Sequence, residues 1–164
     1  MENINIEMLD RSVLSGMRLT ALLEELDQSY IPPVSSRQDI NDYCRKLITN
    51  GEIFILKDGG VELGFVAVYV NDQKGKCAFI SSIGIKPKYR GSGMGKVLVD
   101  HVTAVARESG MHKIRLEVSR RNKAAQQLYI KCGFKNMTGP RDSKISDAMF
   151  MEKRLAPYGQ TARQ

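Results

Sequence analysis

The run from Cys77 to Val118 leaves few folds open to this chain. An apolar stretch, CAFISSIGI (77–85), leads into IKPKYRGSGMGK (85–96), then into VLVDHVTAVARESG (97–110), then into KIRLEV (113–118). Met94, Leu98, Val102 and Val105 recur at helical spacing up to a stop at Gly110, and Ile114, Leu116 and Val118 alternate with charged residues as in a strand. A strand, a helix and a strand in that order form a right-handed crossover between parallel neighbours. Any architecture for the rest of the chain must grow around that unit.

The flanking segments extend it. Leu14, Met17, Ala21 and Leu22 predict a helix over 13–28, which YIPPVSSR breaks at Pro32 and Pro33. Ser36 is the expected N-cap of a second helix with Ile40, Tyr43, Cys44, Leu47 and Ile48 on one stripe, stopped by Gly51. Then EIFILK, VELGFVAVYV and CAFISSIGI, separated by DGG and NDQKGK, read as an antiparallel three-strand meander. Asn122 opens a short helix carrying Ala125, Leu128, Tyr129 and Cys132, Gly133 closes it, and DAMFMEKRL reads as a last strand. An antiparallel meander joined to a parallel crossover gives a mixed α/β sheet. With 164 residues and no internal repeat, one domain over 1–155 with a tail at 156–164 is expected.

Charge divides the chain. Residues 1–72 hold 6 Lys and Arg against 12 Asp and Glu, while 73–164 hold 19 against 6. A basic half could serve nucleic acid, but it has no Trp and no aromatic residues interleaved for base stacking, so a polyanionic small ligand is the better expectation. No run approaches the roughly 20 apolar residues of a membrane helix, and no basic, apolar leader opens the chain; the expectation is a cytoplasmic protein without a membrane partner. Cys44, Cys77 and Cys132 are far apart, odd in number and lack CxxC spacing, which predicts reduced structural thiols and no metal site.

The segment Ile85–Lys96 packs four cations and three glycines into twelve residues. It is not a P-loop, because Arg90 stands where the first glycine belongs and Val97 follows Lys96; nor is it a dinucleotide fingerprint, which would need a third glycine at Lys96. What remains is R-x-x-G-x-G, Arg90, Gly93 and Gly95, between a strand and a helix. Free amides at a helix N-terminus bind phosphate oxygens, and glycines let the ligand reach the backbone. A glycine-rich turn with a solvated basic rim is the competing reading.

IGIKPKYRGSGMGKVLVDHV followed by IRLEVSRRNKAAQQLYIKCGF resembles the coenzyme A binding core of the GNAT superfamily of N-acetyltransferases, over about 80–134. The second motif, N-x-x-A-x-x-x-Y-x-x-x-G-F at Asn122, Ala125, Tyr129, Gly133 and Phe134, makes the pair specific. The resemblance implies a mixed, mostly antiparallel sheet with a V-shaped splay between two parallel strands and helices on both faces. It implies acetyl-CoA as cosubstrate, with Arg90, Gly91, Ser92, Gly93, Met94, Gly95 and Lys96 forming the pyrophosphate loop. Ile83, Gly84 and Ile85 would pair with the pantetheine arm, the Ile85 amide polarising the thioester carbonyl. Asn122 and Ala125 would meet the cofactor at the splay, and Gly84 would carry the bulge such enzymes use.

Transfer to an amine needs a neutral nucleophile, oxyanion stabilisation and a proton for the thiolate. At pH 7 only about one alkylammonium in a thousand is neutral. The resemblance makes Tyr129 the general acid; periodicity alone would make it core. Glu117 is the expected base, since LEV twelve residues before the tyrosine resembles ribosomal-protein N-terminal acetyltransferases; a water chain or a salt-bridged Glu117 fits equally. His101 and His112 read as structural or surface residues. By the same resemblance, 1–72 holds the acceptor side and 73–155 the cofactor core. The acidic balance of 1–72 points to a cationic amine, whereas YIPPVSSR resembles acetyltransferases of surface polysaccharides and points to an amino sugar. The expected acceptor is therefore a small-molecule amine. A homodimer is compatible with such a fold, and a non-catalytic acyl-CoA-binding regulator or a nucleic-acid-binding module are the alternatives.

Overall fold

The computed structural model describes residues 2–137 and 147–157. Seven strands form one sheet in the order β1-β2-β3-β4-β5-β7-β6: β1 Ile4–Met8, β2 Glu52–Asp58, β3 Val61–Tyr69, β4 Cys77–Ile85, β5 Lys113–Ser119, β6 Lys135–Met137 and β7 Ala148–Arg154. Among the described residues only β4 and β5 run parallel, and every other pair is antiparallel. Four helices among the described residues, α1 Val13–Leu26, α2 Ile40–Asn50, α3 Met94–Glu108 and α4 Lys123–Lys131, cover the two faces. The mixed sheet and two helical layers are those the sequence implied.

Period-two alternation divides the core. On β2, Ile53 and Ile55 pack with Leu19, Leu22, Leu23, Leu26, Tyr43 and Leu47 of α1 and α2, whereas Phe54 and Leu56 pack with Leu98, Val102 and Ala106 of α3. Burying one such aliphatic side chain is worth about 1.5–3 kcal/mol, so each layer holds its helices largely through leucines and valines.

Several local expectations change. The N-cap of α2 is Asp39, whose carboxylate accepts the Asp42 amide at 2.9 Å. Ser36 instead ends a 3-10 turn at 34–36, with its hydroxyl on the Pro33 carbonyl at 2.6 Å. β1 and β6 were not expected. The irregularity in β4 lies at Ser81 rather than Gly84: Ser82 pairs with Ala67 and Ile80 with Val68, leaving Ser81 as the extra residue. Gly84 is needed for another reason, since a Cβ there would stand 2.7 Å from the Tyr30 hydroxyl and 2.8 Å from Leu26 Cδ1. Residues 158–164 of the expected tail, and the β6–β7 connection 138–146, lie outside the described residues.

The β4–β5 ladder is short. It pairs Cys77 with Lys113 through Ile80 with Leu116 and stops, although β4 continues to Ile85 on β3 and β5 to Ser119 on β7. Beyond Ile80 the two half-sheets part, and that splay positions the site.

Candidate active site

A cavity of about 720 Å³ occupies the splay. One wall comes from the α1/α2 layer, with Leu26, Tyr30, Val34, Arg37 and Tyr43; the other from α3 and α4, with Met94, Gly95, Leu128 and Tyr129. The ends of β4 and β5, including Ile83–Ile85 and Glu117, form the floor between them.

The glycine loop closes one end. Gly91 and Gly93 sit at φ +80° and +83°, a left-handed conformation that a Cβ would strain. Gly93 is the N-cap of α3 and provides no side-chain cap, whereas Ser12, Asp39 and Asn122 cap α1, α2 and α4 with side-chain oxygens. The first helical bond runs from the Val97 amide to the Gly93 carbonyl at 3.2 Å, so the amides of Met94, Gly95 and Lys96 precede the intrahelical ladder. They meet the cavity at the positive end of a 15-residue helix. Gly95 also fits α3 against α4, because a Cβ there would lie 2.9 Å from Leu128 Cδ2.

The basic side chains are arranged more economically than the sequence suggested. Arg90 lines the cavity with its Nε bound to the Ile85 carbonyl at 2.9 Å, which ties the loop to the end of β4. Lys96 pairs with Asp100 one turn along α3, and Lys86 with Glu25 at 3.2 Å. Ser92 does not line the cavity; its hydroxyl bonds to the Tyr89 carbonyl at 2.8 Å. The other expected cofactor residues, Ile83, Gly84, Ile85, Gly91, Gly93, Met94, Gly95, Asn122 and Ala125, all line it. Asn122 spends its side-chain oxygen on the Ala125 amide at 3.1 Å, as the cap of α4.

On β4 the Lys86 amide donates to the Leu63 carbonyl at 2.9 Å. Antiparallel pairing alternates, so the Ile85 amide faces away from β3 and towards the splay. Tyr129 is buried beside Phe134, ring centroids 5.9 Å apart, and burial pushes its phenol above the ordinary tyrosine range. Glu117 lines the same cavity from β5.

Sequence reasoning missed a polar cluster on the opposite wall. The bulge at Ser81 turns two successive serines to the α1/α2 layer: Ser82 donates to the Tyr30 hydroxyl at 3.1 Å, and Ser81 Oγ meets the Tyr43 hydroxyl at 2.7 Å. Burial raises both phenols, and each serine bond offsets part of that. The paired serines inside an apolar strand were the available signal. The acidic residues of 1–72 do not form this wall; among the described residues lining the cavity, Glu117 is the one carboxylate. Asp27 is buried and bound to Ser35, while Glu7 and Glu62 grip Arg18.

Among the described residues, the uncapped start of α3, the end of β4 beyond its pairing with β5 and a buried phenol surround one cavity. A family model of the GNAT acetyltransferases matches residues 19–134, and the chain belongs to that family. It is 37% identical over 65 residues to thialysine N-ε-acetyltransferase of Bos taurus, a match covering 40% of this chain and 38% of that enzyme. It is 30% identical over 89 residues to L-2,4-diaminobutyric acid acetyltransferase of Streptomyces coelicolor, 53% of this chain and 51% of that one. Matches to these two relatives thus span about half of their length or less. The fold also matches YncA of Salmonella typhimurium, solved with its cofactor acetyl-CoA, at TM-score 0.70 and 17% identity over 98% of each chain. Among the described residues no helix is long and apolar enough to cross a membrane.

Proposed function

We propose that this protein is an N-acetyltransferase that moves the acetyl group of acetyl-CoA to the primary amine of a small molecule, by direct attack in a ternary complex. The observation that carries the reading is the uncapped start of α3, opening with Gly91 and Gly93 onto the same cavity as Tyr129. The amides from Gly91 to Lys96 hold the pyrophosphate, and the free edge Ile83–Ile85 pairs with the pantetheine arm. The Ile85 amide then polarises the thioester carbonyl as charge develops on its oxygen.

The attacking amine enters from the Tyr30 and Tyr43 side. Its nitrogen bonds to the carbonyl carbon, the carbon–sulfur bond breaks, and Tyr129 gives its proton to the departing thiolate. Glu117, directly or through water, takes the proton the amine loses. The named relatives are both acetyltransferases acting on amines, which supports an amine acceptor here. The test is acceptor-dependent release of coenzyme A thiol from acetyl-CoA across amino acids, polyamines, amino sugars and N-terminal peptides. Turnover lost in Tyr129→Phe supports the mechanism; acetyl-CoA binding without any turnover would mark the chain as a binding module.

A further inference from the structure

Arg37 stands in the cavity wall on the α1/α2 side, immediately after the 3-10 turn at 34–36. Its Nε is buried without a hydrogen-bond partner among the described residues. A buried guanidinium N–H without an acceptor is costly and uncommon; closed to solvent, it braces the side chain from behind, and a ligand in the cavity would meet the terminal guanidinium nitrogens.

The backbone around it is firmly placed. The Asp27 carboxylate, buried at the end of α1, accepts the Ser35 amide at 2.9 Å and the Ser35 hydroxyl at 2.5 Å, and Gln28 Nε2 at 3.3 Å. Val34 is buried in the layer beneath, and the Arg37 amide donates to the Val34 carbonyl at 3.0 Å. The guanidinium is thus presented from a fixed turn, with Gln38, Tyr43 and Ser81 lining the same cavity. The positive charge of Arg37 is also felt at the Tyr43 phenol, which places the two close together.

Resting on the acetyltransferase reading above for which wall faces the acceptor, we infer that Arg37 determines specificity by binding a carboxylate of the acceptor. The acceptor is then an amino acid whose reacting amine reaches the thioester while its carboxylate stays at Arg37. A carboxylate fits one guanidinium with its planar, two-oxygen geometry and single charge. A phosphate dianion would leave negative charge uncompensated among neutral hydroxyls and an amide.

The test pairs acceptors that differ in the carboxylate alone. Ornithine against putrescine, lysine against cadaverine and an aminoalkyl phosphate of similar length are titrated calorimetrically into protein saturated with coenzyme A. At least one amino acid should bind 10-fold or more tighter than its diamine and than the phosphate. Arg37→Gln should erase that difference and Arg37→Lys restore part of it, with coenzyme A affinity unchanged and the thermal midpoint not lowered. Diamines or the phosphate binding as tightly as the amino acids, neither amino acid binding, or Arg37→Gln weakening all ligands alike would overturn the inference. Because the readout is binding, a carboxylate preference with no thiol release from any acceptor would sink the transferase reading and leave the Arg37 assignment standing.

Discussion

Ser82 Oγ donates to the hydroxyl of Tyr30 at 3.1 Å, joining β4 to the residue that ends the 3-10 turn after α1, fifty-two positions earlier. Gly84, two residues along the same strand, leaves the space in which the Tyr30 ring sits. The α1/α2 wall of the cavity is therefore built against β4 rather than beside it.

Ser82→Ala takes a partner from a buried phenol and should cost about 1–3 kcal/mol. Gly84→Ala must push Tyr30 or Leu26 aside and should both destabilise the fold and weaken acceptor binding more than acetyl-CoA binding. Thermal melts and separate titrations of the two ligands check this. An unchanged melting temperature for Gly84→Ala would mean the wall gives way freely.

At the other end of the cavity, Gly93→Ala forces a side chain into the left-handed region, at about 1–2 kcal/mol. The amides of Met94, Gly95 and Lys96 shift with it. Coenzyme A affinity should fall at least 10-fold, measured by calorimetry, while acceptor binding changes little.

Burial raises Tyr129 above the ordinary phenol range, so it stays protonated through neutral and mildly alkaline pH. The proton a general acid needs is present throughout. The turnover rate should accordingly rise with pH as the acceptor amine deprotonates, with no fall assignable to Tyr129 below pH about 10. In Tyr129→Phe the rate should drop by about 10²-fold or more with an acetyl-CoA KM close to wild type, as loss of a general acid does.

Glu7 is held at about 2 by its hydrogen bond from Arg18, with Lys57 adding to it. A carboxylate depressed in the folded state contributes stability fully above its unfolded value, near 4.5, and loses it as pH falls towards 2. Acid unfolding should therefore begin below about pH 4.5. Glu7→Gln, which cannot titrate, should be less stable at pH 7 and show a flatter decline between pH 4.5 and 2, followed by circular dichroism.

The β2–β4 meander, α3 and the β4–α3–β5 crossover were legible because each is written in local periodicity over seven or more residues. β1 was not: INIEM is five residues, and it is a strand only because Ile4 to Met8 pair with β2 some fifty residues away. Asp39 displaced Ser36 as a cap because Pro32 and Pro33 hold the chain in a separate turn first. The residues expected at the cofactor, Ser92 apart, line one cavity, and they could be grouped from the sequence since they form two contiguous motifs. Arg37, Tyr43 and Ser81 converge only in the folded chain, and nothing local distinguishes them from surface arginine, core tyrosine and strand serine.

Both helical layers reach the cavity, the glycine loop from the α3 side and the tyrosine pair from the α1/α2 side. Two reactants that arrive from opposite faces need not pass one another, so neither has to leave before the second can enter. Nor does the acetyl group need a way-station on the protein. Occupancy of one side leaves the other doorway open, and the kinetics should show intersecting double-reciprocal lines with no obligatory order of arrival.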